Sequence, residues 1–256
     1  MDIYSEQVRK ANEYGTYRHY TTVDSLTKIL SGRTLRLSAL ESLNDPVEGE
    51  RNIPLFKHKI FVLCFCHGAK ESIPLWRMYG RDENGVCLEF NSLNFACSKE
   101  KYKWTSQHRK DNWRVRNVDL IDVVYTDKPH EFIRSIDDEI GLFAPDCIRY
   151  LKTDEWSFEQ ETRVAVWVDV QSGTRSLSWI ENPRTRRKEE CYTYPDFRHI
   201  ELNVDVNVFG SMSIIFNPFI NAEKKKAIRT ELTDRFPFIS AAQFKDSELS
   251  GKIRLK

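Results

Sequence analysis

The chain contains no apolar run near the roughly 18 residues that a membrane-spanning helix needs. Its first stretch, MDIYSEQVRKANEYG, has no apolar centre of the kind found in signal peptides. A strong charge of either sign is also missing, because 39 Lys and Arg face 38 Asp and Glu, a formal net charge of +1. We therefore expect a cytoplasmic protein with no membrane partner, in which any nucleic-acid contact comes from a local patch.

Cysteines at zinc-binding spacing are missing as well. Of the six cysteines, only Cys64 and Cys66 lie close together, and no second C-x-x-C or H-x₃-H set accompanies them. We expect reduced thiols buried in a strand, and no metal. The sequence also has no G-x-G-x-x-G loop, so a dinucleotide would not be held in the manner of the Rossmann fold.

Short strands and helices follow one another without a β-α-β rhythm. The patterns predict strands at 17–21, 34–38, 59–66, 85–90, 118–125, 199–206 and 212–216, and helices at 22–30, 72–79, 130–151 (one helix or a pair) and from Asn221 to about Arg235. Gly32 is placed to end the first helix, 44–49 and 184–188 are predicted loops, and 238–256 would add a strand and a tail. No repeat or linker divides residues 1–256, which predicts a single α+β domain with mostly antiparallel sheets.

One predicted strand, WSFEQETRVAVWVDV at 156–170, has an unusual face. Phe158 and the valines at 164, 166, 168 and 170 fall on one side at a period of two. Glu159, Glu161 and Arg163 fall on the other. That charged face is either solvated or lines a cleft.

Two further places combine reactive side chains with a regular element: His19-Tyr20-Thr21 and the helix from Ser72 to Tyr79. A histidine on a strand is more often a structural group than a catalyst. Trp76 and Tyr79 fit core anchors on one helix face, and the charged residues at 159–163 fit cross-strand partners. The residues alone leave these alternatives open.

Several short motifs follow one another along nearly the whole chain: HYT at 19–21, LRLS at 35–38, NDPVEG at 44–49, CFC at 64–66, LWRMYG at 75–80, GVCLEF at 85–90, FEQETR at 158–163 and IIFNP at 214–218. Their order and spacing resemble an uncharacterised bacterial family, domain of unknown function 2971. That family is similar to a distant branch of the ADP-ribosyltransferases, whose signature is a His or Arg on the first strand, a Ser/Thr/Tyr element in the middle and a Glu on a later strand. The resemblance implies two mostly antiparallel sheets that form a split barrel with an NAD cleft, flanked by helices.

The same resemblance implies an enzyme that uses NAD as its substrate. Glu161 would stabilise the positive charge that develops on the ribose, hold the 2′-hydroxyl and help to remove the acceptor's proton. His19, together with Tyr20 and Thr21, would bind the ribose and the nicotinamide side. Ser72 resembles the central serine of the signature.

Three further roles follow from the resemblance. Trp76 or Tyr79 would stack on the nicotinamide ring. Arg163 would tune Glu161 or contact a phosphate. Glu159 would orient the acceptor, as in the Glu-x-Glu motif of members that modify arginine. Those members carry Arg where this chain has His19, so the subgroup does not assign the acceptor.

A basic and aromatic segment at 99–116 suggests what the acceptor is. It has seven Lys or Arg against two acids, with Tyr102, Trp104 and Trp113 among them. Cations for phosphates and rings for bases suit single-stranded nucleic acid, so Lys101, Lys103, Trp104 and Arg109 are predicted to bind it. Many solvated loops have the same composition, so that alternative stays open.

The expected function is thus transfer of ADP-ribose to RNA or DNA by a toxin or phage-defence effector, which an antitoxin or another inhibitory protein could neutralise. Transfer to a protein and hydrolysis of NAD are alternatives within the enzyme class. A non-catalytic module that binds nucleic acid or a protein is the alternative outside it.

Overall fold

The structure is a computed structural model, and it describes residues 11, 13–45, 58–68, 70–80, 82–105, 113–128, 150–170 and 195–253, with the backbone alone at 177–181 and 188–192. The predicted helix at 130–151, the predicted loop at 184–188 and most of the one at 44–49 lie outside these residues, except that Leu151 and Lys188 belong to strands.

The α-helices whose bounds the structure gives are α1 (Val23–Gly32), α2 (Ile73–Tyr79), α3 (Val206–Ser211) and α4 (Ala222–Arg235). The strands are β1 (Tyr17–Thr22), β2 (Thr34–Ala39), β3 (Ile60–His67), β4 (Gly85–Phe90), β5 (Tyr102–Lys103), β6 (Trp113–Asp122), β7 (Val124–Tyr125), β8 (Leu151–Lys152), β9 (Glu161–Val170), β10 (Leu177–Glu181), β11 (Lys188–Tyr192), β12 (His199–Asn203), β13 (Ser213–Phe216) and β14 (Phe244–Asp246). No helix among the described residues is both long and apolar enough to cross a membrane.

Helix α1 illustrates how the sequence sets these elements. Thr22 caps it, because its hydroxyl oxygen accepts from the backbone N–H of Ser25. Val23, Leu26 and Leu30, three to four residues apart, are its buried side. Gly32 is the last helical residue, as predicted, and the left-handed residue that caps the helix is Arg33 at φ 52°.

Ten strands form one large mixed sheet that forks at β3. The strands β14, β13, β4 and β1 form one arm, and β5, β12 and β2 form the other. Both arms pair with the same edge of β3, whereas β9, followed by β6, pairs along the opposite edge. All pairs in this sheet are antiparallel except β13 with β14.

The α+β class and the mostly antiparallel pairing agree with the sequence-based expectation. The expected arrangement of two sheets as a split barrel is not confirmed: one forked sheet dominates, two-stranded sheets pair β10 with β11 and β7 with β8, and no closed barrel forms in the described chain. The two arms and β9 belong to one hydrogen-bonded sheet because all three pair with β3.

The two faces of this sheet differ in what covers them. One face carries the main core, which includes Leu37, Phe65 and Val166. On the other face α2 packs through Leu75 and Trp76 onto Tyr20, Cys66, Cys87 and Ile215. The charged residues of β9 lie on this second face, because Glu161 pairs with Cys66 and Cys66 pairs with Arg18 in register.

The close approach between the turn after α2 and the start of β4 yields a test. A Cβ on Gly85 would lie 2.8 Å from Asn217 Nδ2 and still closer to the Gly80 carbonyl oxygen. Gly85→Ala should therefore shift the backbone and lower the free energy of unfolding by about 2 kcal/mol. Urea unfolding measures this, with Gly15→Ala as the control because no described atom lies within 4 Å of its Cβ. Equal stability of the two variants would contradict the close approach.

Candidate active site

The fork in the sheet leaves part of one strand edge without a ladder partner. β1 pairs with β3 only through Tyr17 and Arg18. β2 pairs with the other end of the same edge only through Ser38 and Ala39. Residues 63–65 of β3 therefore face the gap between the two arms, and a cavity opens there.

This cavity has a volume of about 330 Å³, at the lower end of the range for small-molecule sites. It is lined by residues 18–20 of β1, 36 and 38 of β2, 42–44, 62–66 of β3, 75 and 79 of α2, and 152, 159 and 161. The candidates His19, Tyr20, Tyr79, Glu159 and Glu161 are thus all at its wall.

Glu161 is held there by two cations. It is 3% exposed. Its Oε1 accepts from Arg163 Nε at 2.7 Å, and its Oε2 accepts from Arg163 Nη2 at 3.1 Å and from Lys152 Nζ at 2.9 Å. Burial by itself raises the pKa of Glu161, but Arg163 and Lys152 outweigh it and hold the pKa at about 2. Glu161 is therefore a carboxylate at every physiological pH.

Arg163 is fully buried at 0% exposure and does not line the cavity. The charged face of β9 is consequently not solvated: Glu161 is at the cavity wall and Arg163 lies behind it. Of the two roles predicted for Arg163, the geometry suits tuning Glu161 rather than reaching a phosphate.

Glu159 also lines the cavity, but it belongs to a turn and not to the predicted strand. The strand expected over 156–170 begins only at Glu161, because Asp154–Glu159 form a 3₁₀ turn and Gln160 is left-handed at φ 43°. The prediction that Phe158 shares the valine face of the strand is therefore wrong, and Phe158 is exposed. Glu159 is nevertheless buried, and its Oε2 accepts from Lys152 Nζ at 2.5 Å.

Tyr79 is the second partner of Glu159. Its hydroxyl donates to Glu159 Oε1 at 2.9 Å and accepts from Asn44 Nδ2 at 2.9 Å. Burial raises the pKa of Glu159, and the negative charge of Glu161 adds to this rise against the opposing effect of Lys152. The acidities of the two side chains thus differ: Glu161 is the stronger acid, and Glu159 is the weaker one.

His19 lies in the gap of the fork. Its Nδ1 is 3.0 Å from the carbonyl oxygen of Cys64, and because a carbonyl only accepts, Nδ1 carries the hydrogen. Burial lowers the pKa of His19, so its imidazole is neutral at pH 7. Nε2 is then left as a hydrogen-bond acceptor.

Three other candidates hold α2 against β1. Tyr20 accepts from the backbone N–H of Ser72 at 3.0 Å and meets the Trp76 ring edge-on at 4.9 Å. Ser72 caps α2. Trp76 is 0% exposed and donates to Glu71, so of the two rings predicted to stack on nicotinamide only Tyr79 lines the cavity. Thr21 is half-buried and does not line it.

The basic and aromatic segment lies beyond the cavity along the second arm. Lys103 of β5 pairs in register with Glu201 of β12, and Glu201 pairs with Arg36 of β2. These three residues form a row across the sheet that ends at the cavity wall. Lys101 donates to the carbonyl of Phe95. Arg109 lies outside the described residues.

The rings of this segment pack inward. Tyr102 and Trp113 are buried. Trp104 is half-buried and stacks on Phe197 at 5.4 Å, which Trp113 meets edge-on. One face of Trp104 is therefore already occupied.

Sequence reasoning missed Lys152, the cation that bridges the two glutamates. It lies next to the segment predicted as helical, and a lone lysine carries no spacing signal. Within the described residues no group of three or more potential metal ligands occurs. Cys66 is buried, as predicted, whereas Cys64 is only half-buried, and desolvation raises the pKa of its thiol.

Comparison with protein families matches residues 75–164 to a family described as "Protein of unknown function (DUF2971)". This range contains Tyr79, Lys152, Glu159 and Glu161, and His19 lies outside it. Comparisons with curated proteins and with solved structures gave no match. The resemblance to domain of unknown function 2971 is thus supported for this part of the chain, and it brings no named activity.

The ion pairs of Glu161 predict a stability cost for its removal. Glu161→Gln leaves Arg163 and Lys152 buried with one partner fewer, so we expect a loss of about 3 kcal/mol in the free energy of unfolding at pH 7. Because the folded pKa is near 2 and the unfolded value about 4.3, the carboxylate's contribution is fully present above pH 4.3 and fades as the pH falls toward 2.

Urea unfolding between pH 3 and 7 measures this difference. The difference in free energy of unfolding between wild type and Glu161→Gln should become smaller below pH 4. Glu155→Gln is the matched control, because Glu155 is exposed on the adjacent 3₁₀ turn and its replacement should leave the free energy of unfolding close to that of wild type. A gap that is independent of pH would contradict the low pKa.

Proposed function

We propose that the protein is an NAD-dependent ADP-ribosyltransferase whose active site is the cavity in the fork of the sheet. The observation that carries this proposal is that Glu161, Glu159 and His19 line one cavity of small-molecule size. A buried carboxylate beside a ribose favours the positive charge that develops when a glycosidic bond breaks.

The reaction assigns each bond a partner. The bond between the ribose C1′ and the nicotinamide nitrogen breaks, and its electron pair leaves with nicotinamide, which becomes neutral. A lone pair of the acceptor forms the new bond to C1′, and the acceptor's proton goes to a carboxylate. Glu161, with its low pKa, suits the electrostatic role, and Glu159, the weaker acid, suits proton removal.

His19 and Arg36 supply complementary contacts for such a ligand. The Nε2 of a neutral His19 accepts a hydrogen bond from a ribose hydroxyl. Arg36 is exposed and lines the cavity from β2, where its guanidinium suits a phosphate of the dinucleotide. Arg36 takes the phosphate role in this proposal because Arg163 is buried behind Glu161.

The forked sheet also supports an ADP-ribosyltransferase-like fold. The sheet splits where β1 and β2 diverge from β3, and the cavity occupies the split. The proposal includes the roles that the resemblance implies, a toxin or phage-defence effector restrained by an inhibitory protein.

Removal of the Glu161 carboxylate tests the activity. Purified wild type is incubated with radiolabelled NAD and separate pools of RNA, DNA and protein. We expect Glu161→Gln to lower the rate of nicotinamide release at least about 100-fold, because the charge on the ribose loses its stabilising anion. Glu155→Gln is the control.

Because Glu161→Gln also lowers stability, its far-ultraviolet circular dichroism is compared with that of wild type, and Glu161→Asp is measured beside it. A folded Glu161→Gln variant with full activity would overturn the assignment. Wild type that leaves NAD intact with every pool would favour the non-catalytic binding module.

The acceptor has a second candidate, because the rings of the 99–116 segment pack inward. Trp104 stacks one of its faces on Phe197, and Tyr102 and Trp113 are buried, so among the described residues of the segment few ring faces are open for stacking on bases. This observation favours water as the acceptor, and hence hydrolysis of NAD, over a nucleic acid.

Neutralisation of the basic segment separates the two acceptors. If nucleic acid is the acceptor, replacing Lys101, Lys103 and Arg109 by alanine should lower label transfer at least tenfold and weaken its dependence on salt. If water is the acceptor, nicotinamide release should stay within twofold of wild type and no pool should take up label. Lys226→Ala, an exposed change on α4, is the control.

A further inference from the structure

Lys152 is buried between the two glutamates. Its side chain is 3% exposed, and its Nζ lies 2.5 Å from Glu159 Oε2 and 2.9 Å from Glu161 Oε2. The ammonium also lies 5.1 Å from the centre of the Trp156 ring. One cation thus joins two carboxylates that belong to a turn and to the strand after it.

The two carboxylates depend on Lys152 to different degrees. Glu161 has Arg163 as a second cation, bound through two nitrogens. The other hydrogen bond that Glu159 accepts comes from the neutral hydroxyl of Tyr79. Without Lys152, Glu159 would stand beside the anionic Glu161 with no cation at hydrogen-bond distance among the described residues, and repulsion would favour its protonated form.

We propose that Lys152 is the positioning residue that keeps Glu159 ionised beside Glu161, so that Glu159 takes the acceptor's proton. This inference rests on the transfer reaction proposed above and adds a residue to it. In the transfer step the O–H or N–H bond of the acceptor breaks, its electron pair remains with the acceptor atom that binds C1′, and the proton binds a Glu159 oxygen.

Other ionisable groups surround the pair and set the background against which Lys152 acts. They are Tyr79 of α2, Arg163 of β9, Tyr125 of β7, and Cys64 and Cys66 of β3. Burial raises the pKa of both thiols and both phenols, so all four are neutral at pH 7. Arg163 is the charged member of this set, and its Nε and Nη2 donate to Glu161.

The test compares Lys152→Met with Lys152→Arg. A general base works only when it is deprotonated, so activity falls as the pH drops through its pKa. Loss of the ammonium raises the pKa of Glu159 and moves the acidic limb of the kcat profile upward by about one to two pH units. The KM for NAD should stay within threefold. Lys152→Arg, which keeps the charge, should restore the limb to within half a pH unit of wild type.

A second measurement does not depend on activity. Protein labelled with ¹³C at the glutamate side-chain carboxyls is titrated by NMR, with Glu159→Gln and Glu161→Gln assigning the two resonances. The Glu159 midpoint should rise in Lys152→Met and return in Lys152→Arg. If Lys152→Met does not fold, Lys152→Gln replaces it.

The outcomes separate this inference from the function on which it rests. An unmoved Glu159 midpoint overturns the inference whether or not the enzyme is active. If the Glu159 midpoint rises in Lys152→Met but the acidic limb of the kcat profile does not move in active enzyme, Glu159 is not the general base. If wild type consumes no NAD, the transfer function fails, and the proton-transfer role of Lys152 fails with it.

Discussion

Four buried charges in contact constrain the rest of the site. Lys152, Glu159, Glu161 and Arg163 are each at most 5% exposed, and a charge removed from water is costly unless partners surround it. The partners must therefore be in place together. The left-handed Gln160 turns the chain between the two glutamates, and β8 brings Lys152 to both of them. The local backbone follows from the need to satisfy these charges.

The open edge of β3 is the second constraint. A buried backbone carbonyl needs a donor, and Cys64 lies where neither β1 nor β2 continues the ladder. His19 supplies the donor through Nδ1. The same bond fixes the tautomer and leaves Nε2 unprotonated. The hydrogen bond that the fork requires thus leaves His19 with an unprotonated Nε2, which is the tautomer that would accept a hydrogen bond from a ligand. His19 can therefore have a structural and a ligand-binding role together.

The sequence predicts elements better than it predicts their assembly. The strand patterns at 17–21 and 85–90 and the helix pattern from Asn221 are local signals, and the structure contains these elements nearly as predicted. Glu161 is recognisable because a carboxylate in an apolar strand stands out. Glu159 lies beside Glu161 as predicted, but it is not part of the strand. The left-handed Gln160 separates it from β9, and a period of two in the sequence cannot reveal such a residue.

Two other features carry no local signal. The fork depends on which strands share an edge of β3, and that choice is made by contacts between separate segments of the chain. Lys152 and the inward-facing Trp104 depend on it in turn. A basic and aromatic composition alone does not show whether rings face solvent or Phe197. The sequence therefore predicts residues on both sides of the cavity, but neither the fork in the sheet nor the lysine that lies between the two glutamates.

The charge network also bears on the choice between an enzyme and a binding module. Buried ion pairs replaced by apolar side chains of similar volume often leave a protein equally or more stable, so such a network is weak evidence for a purely structural role. A module that used only the surface at 99–116 would need no buried ions at the fork. An enzyme needs a fixed anion beside a weaker acid, and the unequal support of Glu161 and Glu159 by two cations produces that difference. The asymmetry of the pair, more than its charge, is what favours catalysis.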